Sequence, residues 1–162
     1  MPVDKKLIMN LLIKQLEANL EMLVQSALEA KQAATSEESK PENKYDTRGL
    51  EASYLAGAQA ERSLKIQNEI DQLRRFVLRD YSNTTSIDLT ALIEVKLNSE
   101  VIKTFFLLPF AGGTKLELNN SSYLVLTPVS PVGHHLVGKV VGDSFLIKNK
   151  GIDSEYEIIK VY

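Results

Sequence analysis

The chain contains no cysteine, which excludes disulfides and thiolate metal sites and leaves redox chemistry silent about its compartment. It also lacks an excess of either charge. Nineteen Lys and Arg stand against 21 Asp and Glu, a formal net charge of −2, so no large basic field drives autonomous binding to DNA or RNA. Contact with nucleic acid is expected only locally or through a protein partner. An apolar run of membrane length is missing too. Lys14, Gln15, Glu17, Asn19 and Glu21 interrupt residues 1–34, and Met1 to Lys6 leads into no short apolar segment with a small-residue cleavage site. The expected location is therefore the cytoplasm, without membrane contact. The only histidines are His134 and His135. Neighbours on a helix point about 100 degrees apart and no third ligand is at hand, so they are expected at a surface rather than on a metal. No P-loop, dinucleotide fingerprint, nucleophile elbow or His-Glu zinc motif occurs, so no autonomous active site is read.

At 162 residues, 44% hydrophobic and 25% charged, the chain has room for one ordinary domain or two small ones. From Met9 the apolar residues Ile13, Leu16, Leu20, Leu23, Ala27, Ala30 and Ala34 follow in steps of three and four, the period of a coiled-coil seam. Leu7, Leu11, Leu12, Val24 and Leu28 widen the stripe, so the base of this helix is expected to pack on something more than one partner helix. A return helix starting near Asn43 to Tyr45 carries Ala52, Ala56, Ile66, Ile70, Leu73 and Val77, with Gln59 and Ser63 as weaker members. Antiparallel pairing sets large residues against large ones at the base and alanines against alanines toward the turn. Small seam residues allow a close approach and a slender pair of helices. Gly49 and Gly57 lower helix propensity with no reason visible in the sequence.

The turn between the helices, Thr35 to Asp46, gathers Glu37, Glu38, Glu42 and Asp46, partly offset by Lys40 and Lys44 and broken by Pro41. Such a cluster is either ordinary solvated turn chemistry or charge presented to a partner. The predicted layout is a hairpin over residues 1–80, a polar linker over 81–86 and a second domain over 87–162. In that domain, strands are expected at Ala91 to Leu97, Lys103 to Leu108, Lys115 to Leu118, Tyr123 to Thr127, Ser144 to Lys148 and Tyr156 to Val161. Turns are expected at Asn98-Ser99, Ala111-Gly112-Gly113, Asn119-Asn120 and from Lys150 to Ser154, with Gly112-Gly113 in a hairpin-like turn. Ser130 followed by Pro131 reads as the cap and first turn of a short helix that Gly138 ends. The fold class is α+β: an antiparallel coiled-coil hairpin followed by a small antiparallel sheet with one short helix.

Ser130, Pro131, Val132, Gly133, Leu136, Val137, Gly138 and Lys139, then Gly142-Asp143 and the closing Glu155, Tyr156, Glu157 and Ile158, resemble the C-terminal signature of the Gre transcript-cleavage factors of bacterial RNA polymerase. That family joins an N-terminal antiparallel coiled coil to an FKBP-like C-terminal domain; FKBP-like describes shape, and isomerase activity does not follow. At the tip the family carries an Asp, two intervening residues, Glu-Asn and, two residues further, a Tyr. Glu42-Asn43 matches the pair. Ser39 stands three before Glu42, the nearest upstream carboxylates are Glu38 and Glu37, Tyr45 comes one residue early, and Pro41 is interior.

The resemblance implies a hairpin inserted into the secondary channel of the polymerase, with tip carboxylates Glu38 and Glu42, and Glu37 and Asp46 in reserve, brought to the active centre. Asn43 and Tyr45 would support the tip, and Ser130, Pro131, Val132 and Gly133 would bind polymerase. No cofactor would be bound by the chain alone; magnesium would be shared with the polymerase, whose own two-metal site hydrolyses the backtracked RNA 3′ end, with DNA reached only indirectly. On this reading the chain is not itself an enzyme. Two alternatives stand beside it: a channel binder of the same fold that modulates or inhibits transcription without cleavage, and a helical-hairpin module that oligomerises.

Overall fold

The computed structural model of the protein describes residues 4–35, 47–98, 100–149 and 152–162. Its elements run α1 (Lys5–Thr35), α2 (Arg48–Arg75), β1 (Leu92–Leu97), β2 (Val101–Leu107), β3 (Lys115–Leu118), β4 (Ser121–Leu126), α3 (Pro131–Leu136), β5 (Ser144–Asn149) and β6 (Ile152–Val161). The chain divides into two compact units, one of Ile13–Arg75 and one of Met1–Leu12 with Phe76–Tyr162. The first turns of α1 thus belong with the sheet rather than with the rest of their helix. No helix among the described residues is long and apolar enough to cross a membrane.

The unit of Ile13–Arg75 is a two-helix hairpin. The antiparallel sense follows from its contacts: Arg74, late in α2, pairs with Glu17, early in α1, whereas Ala27 and Lys31, late in α1, share a groove with Ala56 and Ala60, early in α2. The seam residues Ile13, Leu16, Ala30, Ser63, Ile70 and Leu73 are buried, as a heptad stripe requires. Ser63 satisfies its hydroxyl by donating to the Gln59 carbonyl at 2.8 Å, one turn back. Val77 departs from the expected seam: α2 stops at Arg75, the helical period ends with it, and Val77 is 79% exposed.

The other unit is built on a six-stranded sheet of order β3-β4-β2-β1-β6-β5. The sheet was expected to be antiparallel throughout, but β2 and β4 run parallel, with Thr104 opposite Tyr123 and Leu107 opposite Leu126. The cause is the connection from β2 to β3, which passes over the place that β4 takes, so that the β3–β4 hairpin folds back between them. Gly112-Gly113 lies in this crossing, not in a hairpin turn. Gly113 has φ of +88° and donates to the Val125 carbonyl at 2.8 Å. Asn119 and Asn120, with φ of +52° and +62°, make the tight turn of the β3–β4 hairpin, a geometry for which asparagine is favoured.

Side chains of both sheet faces are buried. One face contributes Ile93, Val95, Phe105, Leu107, Leu126, Phe145 and Ile158 to a core closed by Leu136 of α3. On the other, Leu92 sits opposite Phe106, and Phe106 opposite Val125, all three fully buried. Ile8, Met9 and Leu12 of α1, in the same compact unit, are buried as well. Asp4 caps α1, its Oδ1 accepting from the Lys6 and Leu7 amides at 2.9 and 3.2 Å.

Lys5 ties the start of the chain to its end. Its Nζ donates to the carbonyls of Arg79, of Thr90 at 3.2 Å and of Tyr162 at 2.9 Å, and lies 5.0 Å from the centre of the Tyr81 ring. Thr90 needs this support. It is β-branched, buried, and held at φ of +74°, where such residues are rare; its Oγ1 also accepts from the Arg79 amide at 3.0 Å. Burial holds the Lys5 ammonium below its ordinary value of 10.5. The unfolded chain therefore binds more protons between the two pKa values, so this group's contribution to stability rises as pH rises through that window. Lys5→Met leaves three carbonyls without their donor and is expected to cost about 2 kcal/mol in urea unfolding at neutral pH. The deficit should widen as pH approaches the ordinary lysine value.

Candidate functional site

The segment Thr127 to Asp143 realises the spaced signature in backbone geometry. Ser130 is the N-cap of α3: its Oγ accepts from the Gly133 amide at 3.1 Å and donates to the Thr127 carbonyl at 2.7 Å. Pro131 occupies the first helical position, where no amide donor is needed. Gly133 is buried against the Thr127 carbonyl group, and a Cβ placed there would overlap its oxygen, lie 2.9 Å from its carbon and lie 2.7 Å from Ser130 Oγ. Gly138, with φ of +81°, follows the helix and donates to the Ile87 carbonyl at 2.8 Å, while Ile87 donates to the Lys139 carbonyl at 2.8 Å. Gly142, with φ of +94°, donates to the Ile158 carbonyl, and Asp143 Oδ2 accepts from the Val140 amide at 2.9 Å. Each glycine and the serine has a structural task.

That division sorts the four residues expected to bind a partner. Ser130 spends its hydroxyl on the cap, Gly133 is buried and presents no side chain, and Val132 packs against the sheet core. Pro131 is exposed. Beside it Val129 is 90% exposed, a position the sequence reading did not single out, although a valine in a Pro-Val-Ser-Pro turn is a signal it could have used. His134 and His135 are exposed, as expected, and His135 stacks on Phe145 at 5.2 Å between ring centres. Phe145 stacks in turn on Tyr156, its cross-strand neighbour, at 5.0 Å.

The expected tip residues Glu37, Glu38, Glu42, Asn43, Tyr45 and Asp46 lie outside the described residues. The helices that carry the turn are described up to Thr35 and from Thr47. Thr35 Oγ1 donates back to the carbonyls of Lys31 and Gln32, which closes the last turn of α1. Thr47 Oγ1 donates to Glu51 Oε1 at 2.6 Å, and Glu51 stands in the first turn of α2, where a carboxylate is favoured by the helix dipole. The exposed faces of α2 mix Arg62, Lys65 and Arg75 with Glu61. Among the described residues no group of three or more His, Cys, Asp or Glu could hold a metal ion.

No family model matches the sequence, and no curated protein does. Solved structures do. The chain is similar to GreA factor homolog 1 (Gfh1) of Thermus thermophilus, 21% identical over 93% of this chain and 94% of that one, with a TM-score of 0.37. It is similar to Gfh1 of Thermus aquaticus, 22% identical over 92% of each chain, with a TM-score of 0.39. A transcription elongation factor GreA/GreB from Nitrosomonas europaea is 14% identical over 69% of this chain and 91% of that one, with a TM-score of 0.36.

Proposed function

We propose that the protein is a Gre-like transcription elongation factor that places its hairpin tip in the secondary channel of bacterial RNA polymerase and stimulates magnesium-dependent cleavage of backtracked RNA. The observation that supports this reading is the joining, in one chain, of two elements. One is an antiparallel helical hairpin whose turn sequence holds Glu37, Glu38, Glu42 and Asp46. The other is a C-terminal unit in which the spaced Ser130, Gly133, Gly138 and Gly142 build the capped helix and turns of a Gre-like signature. The polymerase supplies the hydrolytic centre, and the tip carboxylates help hold a second magnesium ion and its water there. Val129 and Pro131 are the exposed side chains through which the α3 region would touch the polymerase.

Binding without cleavage is the second reading, favoured by Ser39 standing where the family has its first acidic tip residue and by Tyr45 arriving one residue early. Magnesium demands near-octahedral oxygen geometry, so a one-residue slip changes what the tip can hold.

Replacing residues 35–46 by a short neutral turn tests whether the tip acts at all. The C-terminal unit should remain folded and every effect on transcription should vanish. Effects that survive the replacement would remove the tip from the mechanism.

A further inference from the structure

The two helices of the hairpin bury their seam unevenly along its length. At the root, Ile13 and Leu16 of α1 and Ile70 and Leu73 of α2 are buried, and Arg74 pairs with Glu17 next to them. Farther out, over 18–35 of α1 and 49–69 of α2, the buried side chains among the described residues are Ala30 and Ser63. One offers a methyl group, and the other spends its hydroxyl within its own helix on the Gln59 carbonyl. We propose that this outer part of the hairpin is a separately opening arm, whose two helices part together in one cooperative step while the root and the sheet unit stay folded.

Apolar area removed from water sets the difference between root and arm. Leu20, Leu23 and Ile66 continue the seam outward but are only half-buried. Leu28, Leu64 and Tyr54 keep 50%, 68% and 71% of their surface exposed. An open apolar groove of about 510 Å³, lined by α1 from Leu20 to Lys31 and by α2 from Ala56 to Gln67, marks where the helices leave each other uncovered. Helices in proteins draw most of their stability from packing of an apolar face, and the arm has little of it. Gly57 weakens α2 further, and a Cβ there would meet nothing within 4 Å, so no neighbour demands the glycine.

The first turns of α1 are held differently. Ile8 and Leu12 are fully buried in the sheet unit, and Lys5 is fastened to three carbonyls there. One continuous helix therefore passes from a strongly held start to a weakly held end. Opening of the arm needs no partner, so the inference goes beyond the reading above. A channel that encloses the arm would hold it shut, a use that rests on that reading.

Native-state hydrogen exchange of the full chain, followed residue by residue at several low urea concentrations, tests the arm without polymerase. Amides from Val24 to Lys31 and from Ala56 to Ser63 should exchange through one shared opening, populated at least about a hundredfold more than the opening that exposes the Leu16 and Leu73 amides. The step should fall between Leu16 and Leu23 on α1 and between Ile66 and Ile70 on α2. Gly57→Ala should slow exchange about fivefold in both arm helices, the scale of the glycine–alanine difference in helix propensity. Lys5→Met should speed exchange in β1, β2 and the first turns of α1 and leave the arm unchanged, because the arm opens without that unit. A smooth gradient of protection from Thr35 to Ile13, or arm amides as protected as the root, would overturn the proposal. So would Gly57→Ala acting on α2 alone, or Lys5→Met speeding the arm as much as the sheet. None of these results bears on transcript cleavage, so the two readings fail separately.

Discussion

Gly133→Ala should unfold the α3 region or destabilise the C-terminal unit by more than about 3 kcal/mol, a larger loss than most single substitutions cause. The added methyl has nowhere to go. Its nearest neighbours are the Thr127 carbonyl group and Ser130 Oγ, which are themselves locked together by the hydrogen bonds that start the helix. Relief requires moving the Thr127 carbonyl, which accepts from both the Ser130 amide and hydroxyl. The disturbance would reach the core, because Val132 and Leu136 pack on the same sheet face as Phe105, Leu107 and Phe145. Urea unfolding followed by circular dichroism measures the loss. A variant within about 0.5 kcal/mol of wild type would mean that the packing around Gly133 is looser than described.

The second large effect concerns chemistry rather than stability. Glu38→Ala with Glu42→Ala should lower stimulated RNA cleavage by at least about a hundredfold, the scale on which removal of groups that stabilise transition-state charge is felt. Binding to polymerase should persist, since the exposed Val129 and Pro131 lie in the other compact unit. Each single variant should show which carboxylate contributes more, and Glu37→Ala should change little if Glu38 is the one that reaches the metal. Loss of binding along with cleavage would mean that the tip carboxylates anchor the factor instead of serving the reaction.

Much of the fold was legible because its causes are local. The steps of three and four from Met9 to Ala34 mark one buried stripe on a long helix, and Ile13, Leu16 and Ala30 are buried on it. Ser130-Pro131 states a helix start through a cap hydroxyl and a residue needing no donor, and the structure shows both. Asn119-Asn120 states a tight turn through residues that tolerate positive φ. What was not legible is what depends on partners distant in sequence. The parallel pairing of β2 with β4 follows from where a connection crosses, and alternation within each strand is the same whichever way its neighbour runs. The Lys5 contacts reach carbonyls 74 to 157 residues away, and nothing in the first turn of α1 announces them. Val77 continued the apolar spacing past Arg75, where the helix had already stopped.

The candidate site divides along the same line. Ser130 and Gly133 were recognised as part of a signature, but their task is to shape the helix, and the surface beside them belongs to Val129 and Pro131.

The most direct measurement is RNA cleavage in a purified, artificially backtracked bacterial elongation complex with magnesium, with and without the protein, and with binding measured alongside. The account predicts cleavage accelerated well above that of the polymerase alone, at protein concentrations that also show binding. Binding with no acceleration would contradict it and leave a channel-binding regulator whose acidic turn serves another purpose.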